Sequence, residues 1–141
     1  MPPILTRVRY EELNARQQES YNYQKIAAVL ADYGFVTMRL SDDWQGADFI
    51  AQHKDGEFLK VQLKGRLSFR EDYRGKNLYI AFPDNGEWYL YPHDQLLSAV
   101  LSDSTVASTV SWKDKGGYSF PYLTPRLQEK LAPYKIGGAS I

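Results

Sequence analysis

The spacing of apolar side chains predicts one long helix followed by a series of strands. Ile26, Val29 and Leu30 recur at helical intervals and Gly34 supplies a stop, so the pattern predicts a helix over residues 10–33. Alternation of apolar and polar residues then predicts strands over 35–40, 47–53, 57–64, 77–82 and 87–91, with a polar turn over 41–46. We therefore expect an α+β protein, an α/β sandwich whose central mixed sheet of about five strands is flanked by helices.

The last third of the chain carries weaker signals. Asp94 can cap a helix over 95–101, and residues 105–112 read as a late strand followed by a turn over 113–117. Pro125, preceded by Thr124, opens a last helix. We expect a single domain over 1–141, with a core over about 10–101, a C-terminal extension over 102–136 and a flexible tail over 137–141.

Composition limits the classes of protein to which the chain can belong. Its 141 residues suit one domain, and its 14% of aromatic residues support a true core. There are two histidines and no cysteine, which excludes a disulfide framework, a thiolate site and a histidine-rich metal cluster. No apolar run approaches the roughly 18 residues of a membrane span. We therefore expect a soluble, cytoplasmic protein without a membrane partner.

The loop between the second and third predicted strands decides which side chains share a face of the sheet. A two-residue Asp-Gly turn would shift the pairing by one residue and separate Asp48 from Gln62. A three-residue Lys-Asp-Gly loop, with Gly56 in the left-handed region, sets Asp48 opposite Gln62. Because strand side chains alternate, only this second register brings Asp48, Gln62 and Lys64 to one face. It is the register that we predict.

A second hairpin closes around the Asp-Asn-Gly sequence at 84–86. If this loop also has three residues, Phe82 pairs with Trp88 and Ile80 pairs with Leu90 on an apolar face. Aromatic and branched cross-strand pairs of this kind stabilise a sheet by a few tenths of a kcal/mol each.

Asp48, Gln62 and Lys64 have the chemistry of phosphodiester cleavage. An acid on one strand and a polar-x-Lys triplet on the next can hold a divalent metal against a phosphate and set an amine beside the attacking water. Two plainer interpretations stay open. The alternation of polar and apolar residues is ordinary for a half-exposed strand, and Asp48 and Lys64 can simply form an ion pair in an unrelated small α+β protein.

These residues also carry a resemblance to a known family. The sequence Ala47-Asp48-Phe-Ile-Ala, followed by Val61-Gln62-Leu63-Lys64, resembles the motifs of the PD-(D/E)XK nuclease superfamily, in the Q-x-K branch of small restriction, homing and resolvase-like nucleases. The likeness runs over about 18–97 and implies a restriction-endonuclease-like αβββαβ core. One departure is that residues 66–76 are too few and too charged for the long helix that the family usually has there.

The resemblance implies roles for four residues. Asp48 would bind Mg²⁺, with Mn²⁺ as a substitute, and the Gln62 side-chain oxygen and the Leu63 carbonyl would complete the protein ligands. Lys64 would orient or deprotonate the water and offset charge on the phosphorane. Most relatives have Glu in place of Gln62, so metal affinity should be weaker here, because hard cations prefer charged oxygens.

A third acid is less well placed. Glu19 extends the apolar stripe of the predicted helix toward its start, where a carboxylate is costly unless it is paired or bound to a metal. The family's helix Glu corresponds to Tyr23, one turn later, so the role transfers poorly to Glu19. A solvent-exposed Glu near a helix N-terminus is an equally good interpretation.

Formal net charge is zero, so contact with DNA needs a local basic patch. The candidates lie over 60–76: Lys60, Arg66, Arg70, Arg74 and Lys76. Cutting both strands would need two active sites, so a homodimer is a plausible assembly, with the aromatic residues Tyr118, Phe120 and Tyr122 either at its interface or closing the core.

Two functions follow from the sequence. The first is a metal-dependent DNA endonuclease that hydrolyses phosphodiester bonds with an activated water. The alternative is a non-catalytic module on a degenerate nuclease fold that binds nucleic acid or protein, in which bases stack on Tyr73 or Tyr79.

Overall fold

The computed structural model describes residues 3–103 and 106–137. The α-helices in this part of the chain are α1 (Ala15–Ala31), α2 (His93–Asp103) and α3 (Pro125–Leu131). Its strands are β1 (Phe35–Trp44), β2 (Ala47–His53), β3 (Phe58–Leu63), β4 (Ser68–Arg70), β5 (Leu78–Asp84), β6 (Glu87–Pro92), β7 (Gly117–Ser119) and β8 (Lys135–Ile136). Of the tail predicted over 137–141, all but the first residue lies outside the described residues.

Six strands form one mixed sheet in the order β1-β2-β3-β5-β6-β8. Strands β3 and β5 run parallel, and the other neighbours in the sheet are antiparallel. Strands β4 and β7 form a separate antiparallel pair. This confirms the predicted α+β fold, with six strands in place of about five. The chain crosses from β3 to β5 through β4 and a 3-10 turn at Glu71–Tyr73, without a long helix.

Apolar side chains pack on both faces of the sheet. On one face, Ile26 and Leu30 of α1 pack against Phe49, Val61 and Trp88. On the other face, α2 and α3 pack against β5 and β6. The side chains of this second cluster include Ile80, Phe82, Tyr89, Tyr91, Leu96, Leu97, Leu127 and Leu131.

The second face has two parts with different cover. We call its β5–β6 part, which α2 and α3 bury, the covered half. We call its β2–β3 part the open half. Phe49 and Val61 face α1. Because strand side chains alternate, Asp48, Gln62 and Lys64 lie on the open half. All three are half-buried. Polar candidates and apolar core therefore share one side of one sheet.

Helix α1 begins five residues later than predicted. Asn14 caps it: its side chain accepts a hydrogen bond from the Gln17 N–H, and the Gln17 side chain accepts one from the Asn14 N–H, both at 2.9 Å. This capping box fixes the start of the helix at Ala15. Residues Tyr10–Glu12 form a separate 3-10 turn. The predicted start at residue 10 is therefore wrong.

Strand β1 is longer than predicted and replaces most of the turn expected over 41–46. Its pairing with β2 is irregular between Arg39 and Trp44, and the reversal occurs at Gln45 and Gly46, both with positive φ. Residues 40–47, which we call the hairpin tip, curl over the open half. At Gly46 the backbone approaches so closely that an added Cβ would lie 3.1 Å from Leu78 Cδ2.

The two hairpins differ in their loops. In the first, Gln52 pairs with Phe58 and the His53 N–H donates to the Glu57 carbonyl. The predicted three-residue loop, with φ of 100° at Gly56, is thus confirmed, and continuing this register sets Asp48 opposite Gln62.

In the second hairpin the expected three-residue loop is wrong. Asp84 pairs with Glu87 across a two-residue Asn-Gly turn, so Phe82 pairs with Tyr89 and Ile80 with Tyr91. Asn85 adopts a φ of 51°, which the two-residue turn requires and which Asn tolerates better than most residues.

The C-terminal third departs most from expectation. The strand predicted over 105–112 is wrong for the described part of that range, which forms a 3-10 turn at Val106–Ser108 and enters a π-helix at Ser111–Lys115. The helix at Pro125 is confirmed, with the Thr124 hydroxyl accepting from the Leu127 N–H at 3.3 Å. Among the described residues, no helix combines the length and apolar character needed to cross a membrane.

Candidate active site on the open half of the sheet

A bend in β2 brings Asp48 to β3. Phe49 and Ala51 face α1, whereas Ala47, which alternation would set beside them, packs in the opposite cluster. Pairing with β3 accordingly stops at Phe49. The Leu63 N–H, which a continued ladder would bond to the Ala47 carbonyl, instead donates to the Asp48 carboxylate at 2.8 Å. Asp48 thus replaces a ladder hydrogen bond at the bend.

Gln62 and Lys64 lie on the same face as Asp48. The Lys64 ammonium lies 5.7 Å from the centroid of the Tyr73 ring, and it is close enough to Asp48 to favour the ionised carboxylate. Within residues 3–103 and 106–137, however, Asp48 and Lys64 do not form an ion pair with each other. The ammonium thus lies over the Tyr73 ring and interacts with Asp48 only at longer range.

The surroundings of Asp48 disfavour its negative charge. Burial raises the pKa of this carboxyl above its ordinary value, and the carboxylates of Glu19 and Asp43 raise it further. The Leu63 N–H and the Lys64 ammonium act in the opposite direction and stabilise the ionised form. A half-buried carboxylate with two more acids around it is an environment that a cation would relieve.

Glu19 lies at the edge of this group. Its carboxylate accepts a hydrogen bond from the Arg39 guanidinium at 3.3 Å, and its side chain is 61% exposed. Because it also acts electrostatically on Asp48, Glu19 is near the candidate site although it is not buried in it. The pairing of Glu19 with Arg39 fits a solvent-exposed Glu near the helix N-terminus. It fits equally well a residue that supports Asp48 electrostatically.

The donor set suits a small hard cation. Among the described residues, no three His, Cys, Asp or Glu side chains are grouped so that they could hold a metal ion. Mg²⁺, however, keeps several waters and commonly takes one or two carboxylates together with substrate phosphate. One oxygen of Asp48 bonds to the Leu63 N–H, which leaves the other oxygen for a cation. The residues present therefore fit Mg²⁺ with few protein ligands.

Four of the five candidate basic residues over 60–76 fall into two groups. Arg70 donates two hydrogen bonds to Asp72, both at 2.9 Å, and Arg74 pairs with Glu71 at 2.8 Å. In the described part of the chain, Arg66 and Lys76 form no such ion pair. Lys60 donates to Gln45 of the hairpin tip at 2.6 Å.

Sequence reasoning missed the side chains that hold this basic segment to the sheet. The Tyr91 hydroxyl donates to the Ser68 carbonyl at 2.6 Å. His93 Nε2 accepts from the Arg70 N–H at 3.1 Å, and an Asp94 oxygen accepts from the Gly75 N–H at 2.9 Å. Three polar side chains at the β6–α2 junction thus fix three backbone groups. A Tyr-x-His-Asp sequence at a strand end is the signal that could have suggested it.

Lys64 also lines a small cleft that the C-terminal third closes. This basic cleft, of about 310 Å³, is bordered by Lys64 and Arg70 on one side and by Ser111, Lys115 and Tyr118 on the other. The residues that the C-terminal extension contributes to this cleft include the cation of Lys115. The extension is therefore part of the surface around Lys64.

The aromatic candidates have different surroundings. Tyr73 is only 9% exposed, so base stacking on it is disfavoured, while Tyr79 is half-buried and lines a surface cleft. Tyr118 and Phe120 pack against the core, whereas Tyr122 is 70% exposed. Of the two interpretations of the C-terminal aromatics, closing the core therefore holds for the first two.

Comparisons with known proteins do not assign the chain to a family. No family model and no curated protein matches the chain. Among solved structures, it is similar to Hjc, a Holliday junction resolvase from the archaeal hyperthermophile Archaeoglobus fulgidus. The TM-score is 0.42 at 15% sequence identity, and the match covers 52% of this chain and 70% of that one. A likeness this distant assigns no activity.

Proposed function

We propose that the chain is a Mg²⁺-dependent endonuclease that hydrolyses phosphodiester bonds in DNA. The observation that carries the proposal is the bend in β2. It sets the Asp48 carboxylate against the Leu63 N–H, on the face that also carries Gln62 and Lys64. An acid and an amide whose oxygens can bind a divalent metal, with an amine nearby for the attacking water, can carry out such hydrolysis.

Each residue has a role in this proposal. The Asp48 carboxylate, the Gln62 side-chain oxygen and the Leu63 carbonyl hold the cation. Bound Mg²⁺ would polarise the phosphate and lower the pKa of a water. Lys64, steadied over the Tyr73 ring, orients that water and offsets the charge that develops on the phosphate oxygens. Arg66 and Lys76 contact flanking phosphates.

The test is nicking of a supercoiled plasmid across a Mg²⁺ titration, repeated with Mn²⁺. Lys64→Ala should lose nicking while calorimetry still detects metal binding, since Lys64 acts on water and phosphate. Gln62→Glu should tighten metal binding, because it adds a carboxylate, and should retain or raise activity. Loss of metal binding in Lys64→Ala, or weaker binding in Gln62→Glu, would contradict these roles.

Cutting of both strands would require two copies of this site, so we also propose that the active form on duplex DNA is a homodimer. Light scattering of the protein with and without duplex DNA measures the assembly. The homodimer would be contradicted by a protein that stays monomeric and linearises nicked plasmid at a rate that depends on protein concentration in the same way as the nicking rate does.

A second candidate function is a non-catalytic nucleic-acid-binding module. The neutral Gln62 favours it, because Asp48 is then the one carboxylate on that strand pair that faces the candidate site. This interpretation wins if the parent binds DNA and cuts it under no divalent metal.

A further inference from the structure

Beside the candidate site, three aromatic side chains line one surface cleft. Trp44 comes from the hairpin tip, Phe58 from the start of β3 and Tyr79 from β5. The cleft has a volume of about 540 Å³ and is completed by Lys60 and Asn77, among others. We call it the aromatic cleft. Its rings come from three strands that are far apart in the sequence.

Two of the rings are open to solvent in a way that core residues are not. Trp44 is 47% exposed and Phe58 is 56% exposed, whereas Tyr79 is half-buried and packs against the cluster on the α1 face. In the described part of the chain these three rings do not stack on one another. The exposed faces of Trp44 and Phe58 are therefore available for a flat ring to stack on.

The charge beside the rings suits a strand of nucleic acid. The Lys60 ammonium lies 5.7 Å from the Trp44 ring centroid and is held there by its bond to Gln45. A base on the aromatic rings would bring its phosphate toward this cation, and Asn77 offers an amide for the base edge. Glu57 also lines the cleft, so the phosphate is expected on the Lys60 side.

The cleft lies within reach of the site. Lys60 and Lys64 are four residues apart along one strand and its end, which is about 13 Å. A nucleic-acid strand that crosses Lys64 can therefore reach the cleft within a few nucleotides.

We propose that the aromatic cleft stacks an unpaired base of the nucleic-acid substrate, a few nucleotides from the cleaved bond. The substrate class is then DNA with a single-stranded or unstacked nucleotide, since bases within a duplex do not expose their faces. This rests on the proposed function for its substrate. The binding site itself stands on the cleft and does not need cleavage.

The experiment measures binding without metal. A fluorescent single-stranded 20-mer and its duplex are titrated in EDTA and followed by anisotropy. Trp44→Leu and Phe58→Leu keep apolar volume but remove the aromatic face. Each should weaken single-strand binding by about five- to hundredfold and leave duplex binding within about twofold. Trp44→Phe keeps an aromatic face and should bind nearly as the parent does.

Tyr21→Leu is the matched control, because Tyr21 is an exposed aromatic residue of α1 that does not line this cleft. It should change neither affinity. A second readout is quenching of tryptophan fluorescence by single-stranded DNA, which should largely vanish in Trp44→Phe. Denaturant unfolding shows whether the variants fold. If a Leu variant does not fold, the fluorescence readout of Trp44→Phe still tests the proposal.

The outcomes separate this proposal from the previous one. Equal losses for single strand and duplex, equal losses in Tyr21→Leu, or no single-strand binding by the parent would overturn the base-binding cleft. A parent that never cuts DNA but shows the selective loss would overturn the endonuclease and retain the cleft. If the parent cuts DNA and Trp44→Leu binds single-stranded DNA as the parent does, the endonuclease is retained and the base-binding cleft is overturned.

Discussion

The covered and open halves occupy the same side of the sheet but are built from different side chains. On the covered half, Phe82 stacks on Tyr89 at a centroid distance of 5.2 Å and is 1% exposed. On the open half, the corresponding positions of β2 and β3 hold Asp48 and Gln62, and both are half-buried. The two halves therefore differ in chemistry: packed rings lie on one, and side chains that can form hydrogen bonds lie on the other.

The hairpin tip and the basic segment join the two halves. The tip reaches across the open half to Leu78 and Tyr73, while Tyr91 and His93 at the end of β6 hold the backbone of Ser68 and Arg70. The covered half therefore supports the walls of the open half without supplying its polar groups. Changes in one half should act on stability and changes in the other on binding and activity.

The largest expected effect on stability comes from the covered half. Phe82→Ala removes a ring that is fully buried and should lower the free energy of unfolding by about 3–5 kcal/mol. Phe58→Ala, on the exposed side of β3, is the matched control and should cost about 0.5 kcal/mol or less. Urea unfolding followed by circular dichroism measures both. Similar losses in the two variants would remove the distinction between the halves.

A smaller effect should appear as a dependence of stability on pH. His93 is buried, and burial lowers its pKa despite the hydrogen bond to Asp94 at 2.9 Å. The folded protein thus favours the neutral ring, which accepts from the Arg70 N–H. This contribution is complete above the ordinary histidine pKa of about 6.5 and is lost as pH falls through the lower folded value, with a slope of at most about 1.4 kcal/mol per pH unit.

The measurement is urea unfolding between pH 7.5 and 5.5, where most carboxylates stay ionised. His93→Gln should be less stable than the parent at pH 7.5 and should show a flatter response over this range. A variant whose slope equals that of the parent would assign the pH response to other groups.

The smallest effect should separate the two groups of cations. Arg66→Ala combined with Lys76→Ala should weaken DNA binding several-fold and reduce the slope of log K against log salt by roughly two, one for each phosphate that is no longer neutralised. Arg70→Ala with Arg74→Ala should change the slope less, because Asp72 and Glu71 already offset those charges. Anisotropy titrations from 50 to 200 mM salt provide the comparison. Equal changes in both double variants would show that the ion pairs open on binding.

The local part of the site was predictable from the sequence. The Lys-Asp-Gly loop and the alternation of β2 and β3 fix the register by local rules, so the register that sets Asp48 opposite Gln62 followed from the residues alone, although the pairing itself ends at Phe49. The same rules failed at the second hairpin because Asn85, unlike Asp55, takes a positive φ and closes a two-residue turn. One residue type at one loop position decided the difference.

The remaining features depend on contacts between distant segments. The bend at Ala47 arises where the hairpin tip packs against Tyr73 and Leu78, and nothing in the polar sequence over 41–46 indicates it. The links from Tyr91 and His93 to the basic segment join residues 23 positions apart. Residues 106–112, predicted as part of a strand, instead form a 3-10 turn at Val106–Ser108 and the start of the π-helix at Ser111–Lys115, because apolar residues in a short segment do not distinguish a helix from a strand.

The most direct test of the proposed activity is the nicking rate of Asp48→Asn in Mg²⁺ beside that of Asp32→Asn. The amide oxygen of the substituted side chain can still accept from the Leu63 N–H, so the fold should be kept while the charge for the cation is removed. Asp32, exposed at the end of α1, provides the same substitution away from the site. We predict that Asp48→Asn loses nicking by at least about a hundredfold and that Asp32→Asn cuts as the parent does. Equal nicking by Asp48→Asn and the parent would contradict the proposed active site.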